Sequence, residues 1–481
     1  MNLNLSKRVI AGLPLVIALA GCAPSHDTGT PPQQQTPASH VATELPASVK
    51  NGWPHDSWWQ EYRDPQLNSL IQRALANAPD MQIADQRIKL AEAQARMSQA
   101  NLGPEMDFSA NVERQKMSSE GLMGPFATDT DGNTGPWYTN GTFGLTAGWD
   151  LDLWGKNRAL VKARIGEVKA QIAEQAQTRE LLASSVARLY WQWQTEAAVK
   201  NVLQQLKDEQ NNIVSVDRAL YQRGITNSVE GAENDINVSK TDQHLADVTG
   251  SMKEIEARLM ALTNSQSRAL NLRPAPLPAV STQMPTELGY ELLARRPDLQ
   301  EAHWYIEASL SEVDAAKAAF YPDINLMGFL QQDALHLSDL FRHSAQQMGL
   351  SAGLTLPIFD SGRLNANLDI VSAQNNLSVA KYNKVVVDAV NQVAKAASQV
   401  ETLMEKNQQQ QQVEKDARRM VDLAQARMNA GILPGSKVSM AKLPALEERI
   451  SALRLHGQWL DANIQLTSAL GGGYRYRQAA K

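Results

Sequence analysis

Cys22 is the one cysteine in the chain, and its setting gives it a defined chemistry. It closes the tetrapeptide Leu19-Ala20-Gly21-Cys22, after Lys7-Arg8 and an apolar run from Val9 to Ala20 interrupted by Gly12 and Pro14. That run is too short to span a bilayer and has the layout of an export signal. Leu-Ala-Gly-Cys is a lipobox, in which the thiol takes a diacylglycerol and the signal is cut just before the cysteine. The alternative is an ordinary signal followed by a coincidental cysteine. Two or more acyl chains would anchor the mature chain stably, since each buried methylene contributes about 0.8 kcal/mol. Ala23, rather than Asp, follows Cys22, a sorting pattern that directs the product to an outer membrane. A single cysteine also excludes an intramolecular disulfide and a cysteine-based zinc site.

Other chemistry-bearing residues form no site. His336 and His343, near Asp333 and Asp339, are metal-ligand types, but they fall in an expected loop and read as ordinary loop residues. There is no His-Glu-x-x-His pattern and no phosphate-cradling glycine loop between a strand and a helix. No carboxylate pair is spaced for acid-base work. No cofactor is expected beyond the covalent lipid. With 46 Lys+Arg against 51 Asp+Glu, the formal charge of -5 offers no broad attraction for nucleic acid. Hydrophobic residues at 43%, charged residues at 20% and a mean hydropathy of -0.37 exclude a polytopic helical membrane protein and a disordered chain alike. The 481 residues suit about three ordinary domains or one long repeated assembly.

Internal repetition decides for the second. Ala78-Pro79-Asp80-Met81 recurs as Arg296-Pro297-Asp298-Leu299, and Gly103-Pro104-Glu105-Met106 as Tyr321-Pro322-Asp323-Ile324, both at an offset of 218. Gly144-Leu145-Thr146-Ala147-Gly148 recurs as Gly349-Leu350-Ser351-Ala352-Gly353 at an offset of 205, so the second copy is 13 residues shorter between Asp323 and Gly349. Arg223-Gly224-Ile225 matches Ala430-Gly431-Ile432, and Ala261-Leu262 matches Ala469-Leu470. The division is a signal at 1–21, a lipidated Pro- and Gln-rich tether at 22–59, a first repeat at 60–263, a linker at 264–284, a second repeat at 285–471 and a tail at 472–481.

Each copy reads as helix, strand, loop, strand, very long helix, glycine turn and helix. Met106, Phe108, Ala110 and Val112 alternate with polar residues, as do Phe143, Leu145, Ala147, Trp149 and Leu151. Met348 to Leu356 alternates in the same way, whereas Ile324 to Gln332 alternates poorly. Strands of this length with one apolar face fit an outer-membrane barrel; a half-buried soluble sheet is the alternative. The stretch from Lys156 to Gln222 lacks proline and would extend about 100 Å as one helix. Its heptad-like stripe is Val161, Ile165, Val168 and Ile172, then Leu182, Val186, Leu189 and Trp193, then Val199, Leu203, Leu206 and Ile213. The second proline-free stretch, Arg363 to Asn429, offers Val386, Val390, Val393, Val400 and Leu403, and its Gln408 to Gln412 run reads as a solvated face. Four strands cannot close a barrel, so it must be shared between chains, as a dimer or a trimer.

The chain resembles the TolC-like outer-membrane factors of tripartite efflux systems, in their lipoprotein multidrug-resistance branch. The likeness rests on the lipobox, on Trp149-Asp150-Leu151-Asp152-Leu153-Trp154-Gly155-Lys156-Asn157-Arg158, on Arg295-Arg296-Pro297-Asp298-Leu299, on Pro357-Ile358-Phe359-Asp360-Ser361-Gly362-Arg363 and on Ala469-Leu470-Gly471-Gly472-Gly473-Tyr474. It implies a mainly α fold with membrane β: a duplicated helical tunnel of long coiled-coil helices plus four transmembrane strands per chain, completing a twelve-stranded barrel as a homotrimer. It also implies passive export of small toxic amphiphiles, with a periplasmic adaptor and an inner-membrane efflux transporter as partners. The turns Gly224-Ile225-Thr226 and Gly431-Ile432-Leu433 match the periplasmic tips that meet the adaptor. Many family members carry acids six and nine positions after the second-copy tip glycine, ringing the entrance. Here those positions hold Lys437 and Met440, whereas the first copy has Glu230 and Glu233. A ring of Lys437 would repel cations; the alternative is that Lys437 faces solvent or pairs with an acid such as Glu230. A periplasm-spanning adaptor or coiled-coil scaffold is the rival reading, and it leaves the duplicated strands unexplained.

Overall fold

The computed structural model describes residues 32–36, 50–118, 137–225, 228–265, 270–285 and 289–476. Its helices are α1 (Pro65–Asn77), α2 (Pro79–Ala100), α3 (Lys156–Gln222), α4 (Ser228–Leu262), α5 (Gly289–Arg295), α6 (Pro297–Ala318), α7 (Arg363–Asn429) and α8 (Gly435–Ala469). Its strands are β1 (Lys50–Asn51), β2 (Glu105–Lys116), β3 (Trp137–Asp150), β4 (Gln283–Met284), β5 (Asp323–Ala334) and β6 (Gln346–Thr355). The duplication is visible in element lengths: α2 and α6 have 22 residues each, α3 and α7 have 67, and α4 and α8 have 35. Both proline-free stretches form uninterrupted helices. The shortening of the second copy falls in β6 and in the connection that precedes it.

The described residues divide into two compact units. One comprises Lys89–Lys169 and Trp304–Ala380. It contains an antiparallel sheet in the order β2-β3-β5-β6. Register assigns its two faces, because directly paired residues share a side. Phe108 pairs with Leu145, Leu145 with Leu330, and Leu330 with Met348, which makes one apolar row. Asp107, Thr146, Phe329 and Gly349 make a row on the opposite face. The poor alternation of β5 is thereby resolved: Ile324, Leu326 and Leu330 join the apolar face, while Met327 and Phe329 point to the polar one. The repeated glycines make room on that polar face. A Cβ on Gly144 would meet the Gln331 backbone at 2.4 Å, and one on Gly349 would meet the Phe329 ring at 2.5 Å. Val313, Ala316 and Leu368 form a small helix core in the same unit.

The other unit comprises Gln34–Ile88, Ala170–His303 and Lys381–Lys481. Asp64 starts α1 by accepting hydrogen bonds from the backbone N–H groups of Gln66 (2.8 Å) and Leu67 (2.9 Å), with Pro65 in the first turn. Its second carboxylate oxygen accepts from the buried Tyr190 hydroxyl at 2.7 Å, which ties the cap to α3. Trp58, Trp59, Tyr190, Trp191 and Trp193 build the core with Leu67, Ile71, Leu259, Leu460 and Ile464. Farther along α3, Val199, Leu203 and Leu206 pack with Val248 of α4 and with Ile450 and Leu453 of α8. The expected stripe is buried at Leu182, Val186, Trp193 and Ile213, and on α7 at Val386, Val393, Val400 and Leu403. Its first segment is not buried within the single chain. Ile165 and Ile172 are exposed, and the buried positions there are Ala163, Gly166, Ala170 and Ala173. Small residues let neighbouring backbones approach closely, which a hydropathy pattern underweights.

Arg296 accounts for the Arg-Arg-Pro-Asp motif. Its buried guanidinium donates to both Asp298 carboxylate oxygens (3.0 and 2.6 Å), to the Ala469 carbonyl (2.6 Å) and to Gln392 (2.9 Å). The motif therefore fastens the α5–α6 junction to α7 and to the end of α8. The run from Gln408 to Gln412 is exposed except at Gln410, whose amide donates to Glu448 at 2.9 Å.

Glu180 is a buried carboxyl on α3, joined by hydrogen bonds from Ser184 (2.9 Å) and the Trp58 indole (3.3 Å). Burial pushes its pKa up from 4.5 to about 7. The folded chain therefore holds a proton that the unfolded chain releases, and this contribution to stability is full below pH 4.5 and lost as pH rises through about 7. The loss is on the order of 3 kcal/mol. Glu180→Gln should flatten the fall in denaturation midpoint between pH 5 and pH 8 in detergent; a variant that tracks the parent across that range would contradict the assignment.

Candidate functional site

The surface suited to conduction is built from the sheet and from the helix turns. β2 and β6 are the outer strands of the sheet, each paired on one side only among the described residues. The apolar face carries Phe108 and Leu350 at 68% and 85% exposure, a cost in water that lipid contact removes. Strands of 10 to 14 residues are long enough to cross a bilayer when tilted. No described helix is long and apolar enough to do so. The polar face brings together Glu105, Asp107, Glu113 and Asp333 with Thr142, Thr146 and Gln331. At the start of β3, exposed Trp137 lies under the Arg114 guanidinium, and in mid-strand Phe143 packs against the Phe341 ring at 5.6 Å. Phe143 belongs to the alternation read from the sequence, whereas Trp137 and Phe341 carry no such signal.

The two tip turns have one geometry. Gly224 (φ 70°) and Gly431 (φ 73°) are left-handed, and Ile225 N–H donates to the Leu220 carbonyl at 3.0 Å as Ile432 N–H does to Arg427 at 2.9 Å. This is a Schellman termination, which requires a residue that tolerates positive φ. Both isoleucines stand exposed, while Leu433 is half-buried. Behind the tips, Lys442 pairs with Glu209 at 2.7 Å and Arg449 with Glu414 at 2.9 Å, linking α8 to α3 and α7.

Glu230 and Glu233 lie exposed on α4, and Lys437 and Met440 lie exposed at the start of α8. The Lys437 ammonium is 3.6 Å from the Met440 sulfur. Cys22 and Thr226 fall outside the described residues. The imagined metal ligands have other roles: Asp333 accepts from the Thr142 hydroxyl at 3.1 Å, and Asp339 pairs with Arg342 at 3.2 Å. His336 and His343 are exposed between β5 and β6.

Residues 70–265 and 288–472 match the family model described as outer membrane efflux protein. The multidrug resistance outer membrane protein MdtQ of Escherichia coli O157:H7 is 68% identical over 477 residues, covering 99% of this chain and all of that protein. The outer membrane protein VceC of Vibrio cholerae superposes with a TM-score of 0.77 at 27% identity, over 88% of this chain and all of VceC. The CmeC outer membrane channel of Campylobacter jejuni has the same fold, with a TM-score of 0.81 at 20% identity over 95% of this chain and 96% of CmeC.

Proposed function

Because the chain belongs to the outer membrane efflux protein family, whose members are outer-membrane transport channels and not enzymes, we propose that it is the exit duct of a multidrug efflux assembly. The observation that supports this reading is the sheet: four strands, an exposed apolar face, and two outer strands that pair on one side only among the described residues. In lipid, each unpaired backbone group costs several kcal/mol, so the edges must meet those of neighbouring chains. Three chains would give a twelve-stranded barrel with the acid-lined face inward and the apolar face toward lipid. Heptad-spaced apolar residues left open on α2, namely Ile83, Leu90 and Met97, support neighbouring chains along the helices as well.

The duct is passive in this reading. Energy comes from an inner-membrane transporter, and a periplasmic adaptor meets the turns Gly224-Ile225-Thr226 and Gly431-Ile432-Leu433. The exposed apolar residues there, Ile225 and Ile432, suit a protein partner. Small toxic amphiphiles pass when the entrance helices spread. The lipid on Cys22 adds an anchor independent of the barrel; the expected tether at 22–59 is shorter than read, because Lys50–Asn51 pairs with β4 and Trp58 and Trp59 pack in the core. The relatives' multidrug resistance names favour drugs and dyes as cargo.

Assembly is tested by the mass of the detergent-solubilised protein, where a trimer is expected and a stable monomer with its β-signal intact would contradict the shared barrel. Cys22→Ser should abolish fatty-acid labelling and slow signal removal, while the barrel retains part of the protein in the membrane. Undiminished label in that variant would place the lipid elsewhere. At the entrance, three Lys437 side chains would repel multivalent cations, each like-charge pair costing about 1 kcal/mol or less in solvated surroundings. Trivalent metal ions should therefore block the reconstituted channel weakly in planar bilayers, and Lys437→Glu with Met440→Asp should strengthen the block. Tight block of the parent, unchanged by that pair, would show that the entrance acids lie elsewhere.

A further inference from the structure

The end of α8 turns into the tail through Gly471, Gly472 and Gly473, all with left-handed φ (92°, 58° and 80°). A Cβ at Gly471 would overlap the Arg295 carbonyl, and one at Gly472 would overlap the Glu180 carboxyl. Glycine alone fits a turn wedged in this way between the end of α5 and α3. The Tyr476 N–H then donates to the Ala294 carbonyl at 3.2 Å, which lays the tail along the end of α5. Together with α2, α3 and the segment before α1, this tail walls a cleft of about 690 Å³ within the helical unit. Small-molecule sites occupy roughly 300–1,000 Å³.

The cleft carries cations that its acids do not match. Arg475 lines it from the tail, is exposed, and makes no ion pair among the described residues. Arg179, on α3, reaches Asp56 at 4.0 Å, a loose pair whose carboxylate is 80% exposed. The Glu180 carboxyl is engaged elsewhere, accepting from Trp58 and Ser184. Behind Arg475 stands Arg295, whose guanidinium lies over the Trp53 ring at 4.8 Å and 3.6 Å from Glu291. Its Nη1 is buried with no hydrogen-bond partner among the described residues. Burial, and after it the neighbouring Arg475 charge, pull the Arg295 pKa down. An anion beside Arg475 would relieve the repulsion between these two guanidiniums.

Apolar surface completes the lining. It comes from Met81 on α2, from Ile172 and Ala176 on α3, and from the Trp59 ring. Ile172 is 48% exposed, at a place where the heptad spacing calls for burial. Guanidiniums disfavour a cation, and an inorganic anion would leave the apolar wall unused. An apolar wall beside a few converging polar groups is the form of a site for an organic ligand.

We infer that the cleft is a binding site for an amphipathic organic anion. Arg475 and Arg179 take its carboxylate, sulfonate or phosphate group, and Ile172, Met81 and Trp59 meet its apolar part. The site uses no residue of the membrane sheet or of the tip turns, and it holds whether or not the chain conducts. Its occupant bridges the segment before α1 to the tail after α8.

The test uses the full-length protein in dodecyl maltoside, titrated calorimetrically with naphthalene-2-sulfonate against a detergent blank. Saturable binding at one site per chain is expected. Naphthalene-2-methanol keeps the ring without the charge, and inorganic sulfate keeps the charge without the ring; each should bind at least about ten-fold more weakly. Arg475→Gln and Arg179→Gln should each weaken naphthalene-2-sulfonate binding by about ten-fold, the loss expected of one charge-assisted hydrogen bond. Ile172→Asn should weaken it through the apolar wall. Arg258→Gln, which removes an exposed cation of α4 outside the cleft, should leave it unchanged. Equal affinity for the neutral ring would overturn the inference, as would binding that survives both cleft-arginine substitutions or fails to saturate at one site per chain. Absence of saturable sulfonate binding would also overturn it, while leaving the trimer and channel tests unaffected.

Discussion

The structure depends on one constraint: backbone N–H and C=O groups on the outer strands of a sheet cannot be left unpaired in lipid. Among the described residues each chain has four long strands, ordered β2-β3-β5-β6, so its two edges need partners that those residues do not supply. Oligomerisation is then a condition for entering the membrane at all. The polar and apolar faces follow from the same pairing, because a one-residue slip in register would move Phe108, Leu145 and Leu330 to the side of Asp107 and Thr146.

Duplication meets this constraint economically. Each copy contributes two antiparallel strands and one long helical hairpin, and the matched lengths of the helices keep the copies equivalent. Within the helical unit, the fastenings are polar and buried: Asp64 with Tyr190, Arg296 with Asp298 and Ala469, and Glu180 with Trp58 and Ser184. Such groups stabilise only when every partner is present, so they specify one packing of the helices as well as adding strength. Nearer the tips, half-buried ion pairs between Lys442 and Glu209 and between Arg449 and Glu414 join the helices instead.

Much of this was legible in the sequence because the signals are periodic. Alternation marked three of the four long strands, the absence of proline marked both 67-residue helices, and repeated glycines marked the tip turns. What was not legible required a partner element. The faces of β5 could not be assigned until its pairing with β3 and β6 showed Phe329 lying over Gly349. At the start of α3 the positions buried within the chain are Ala163, Gly166, Ala170 and Ala173, which a hydropathy pattern does not mark, while the larger Ile165 and Ile172 stay open in the single chain. Residues at the candidate entrance were reachable only by likeness, since nothing in the local pattern of Lys437 and Met440 marks a constriction.

Closure of the barrel between chains is tested most directly by engineered disulfides across the strand edges. Single cysteines would be placed at successive positions of β2 and β6 in the same chain, with Cys22 blocked as the proposed lipid would block it, and oxidised in the membrane. The account predicts covalent dimers and trimers at one register of positions, with none at residues on the inner strands β3 and β5. Chains that stay monomeric at every register, in protein that is folded and inserted, would contradict it.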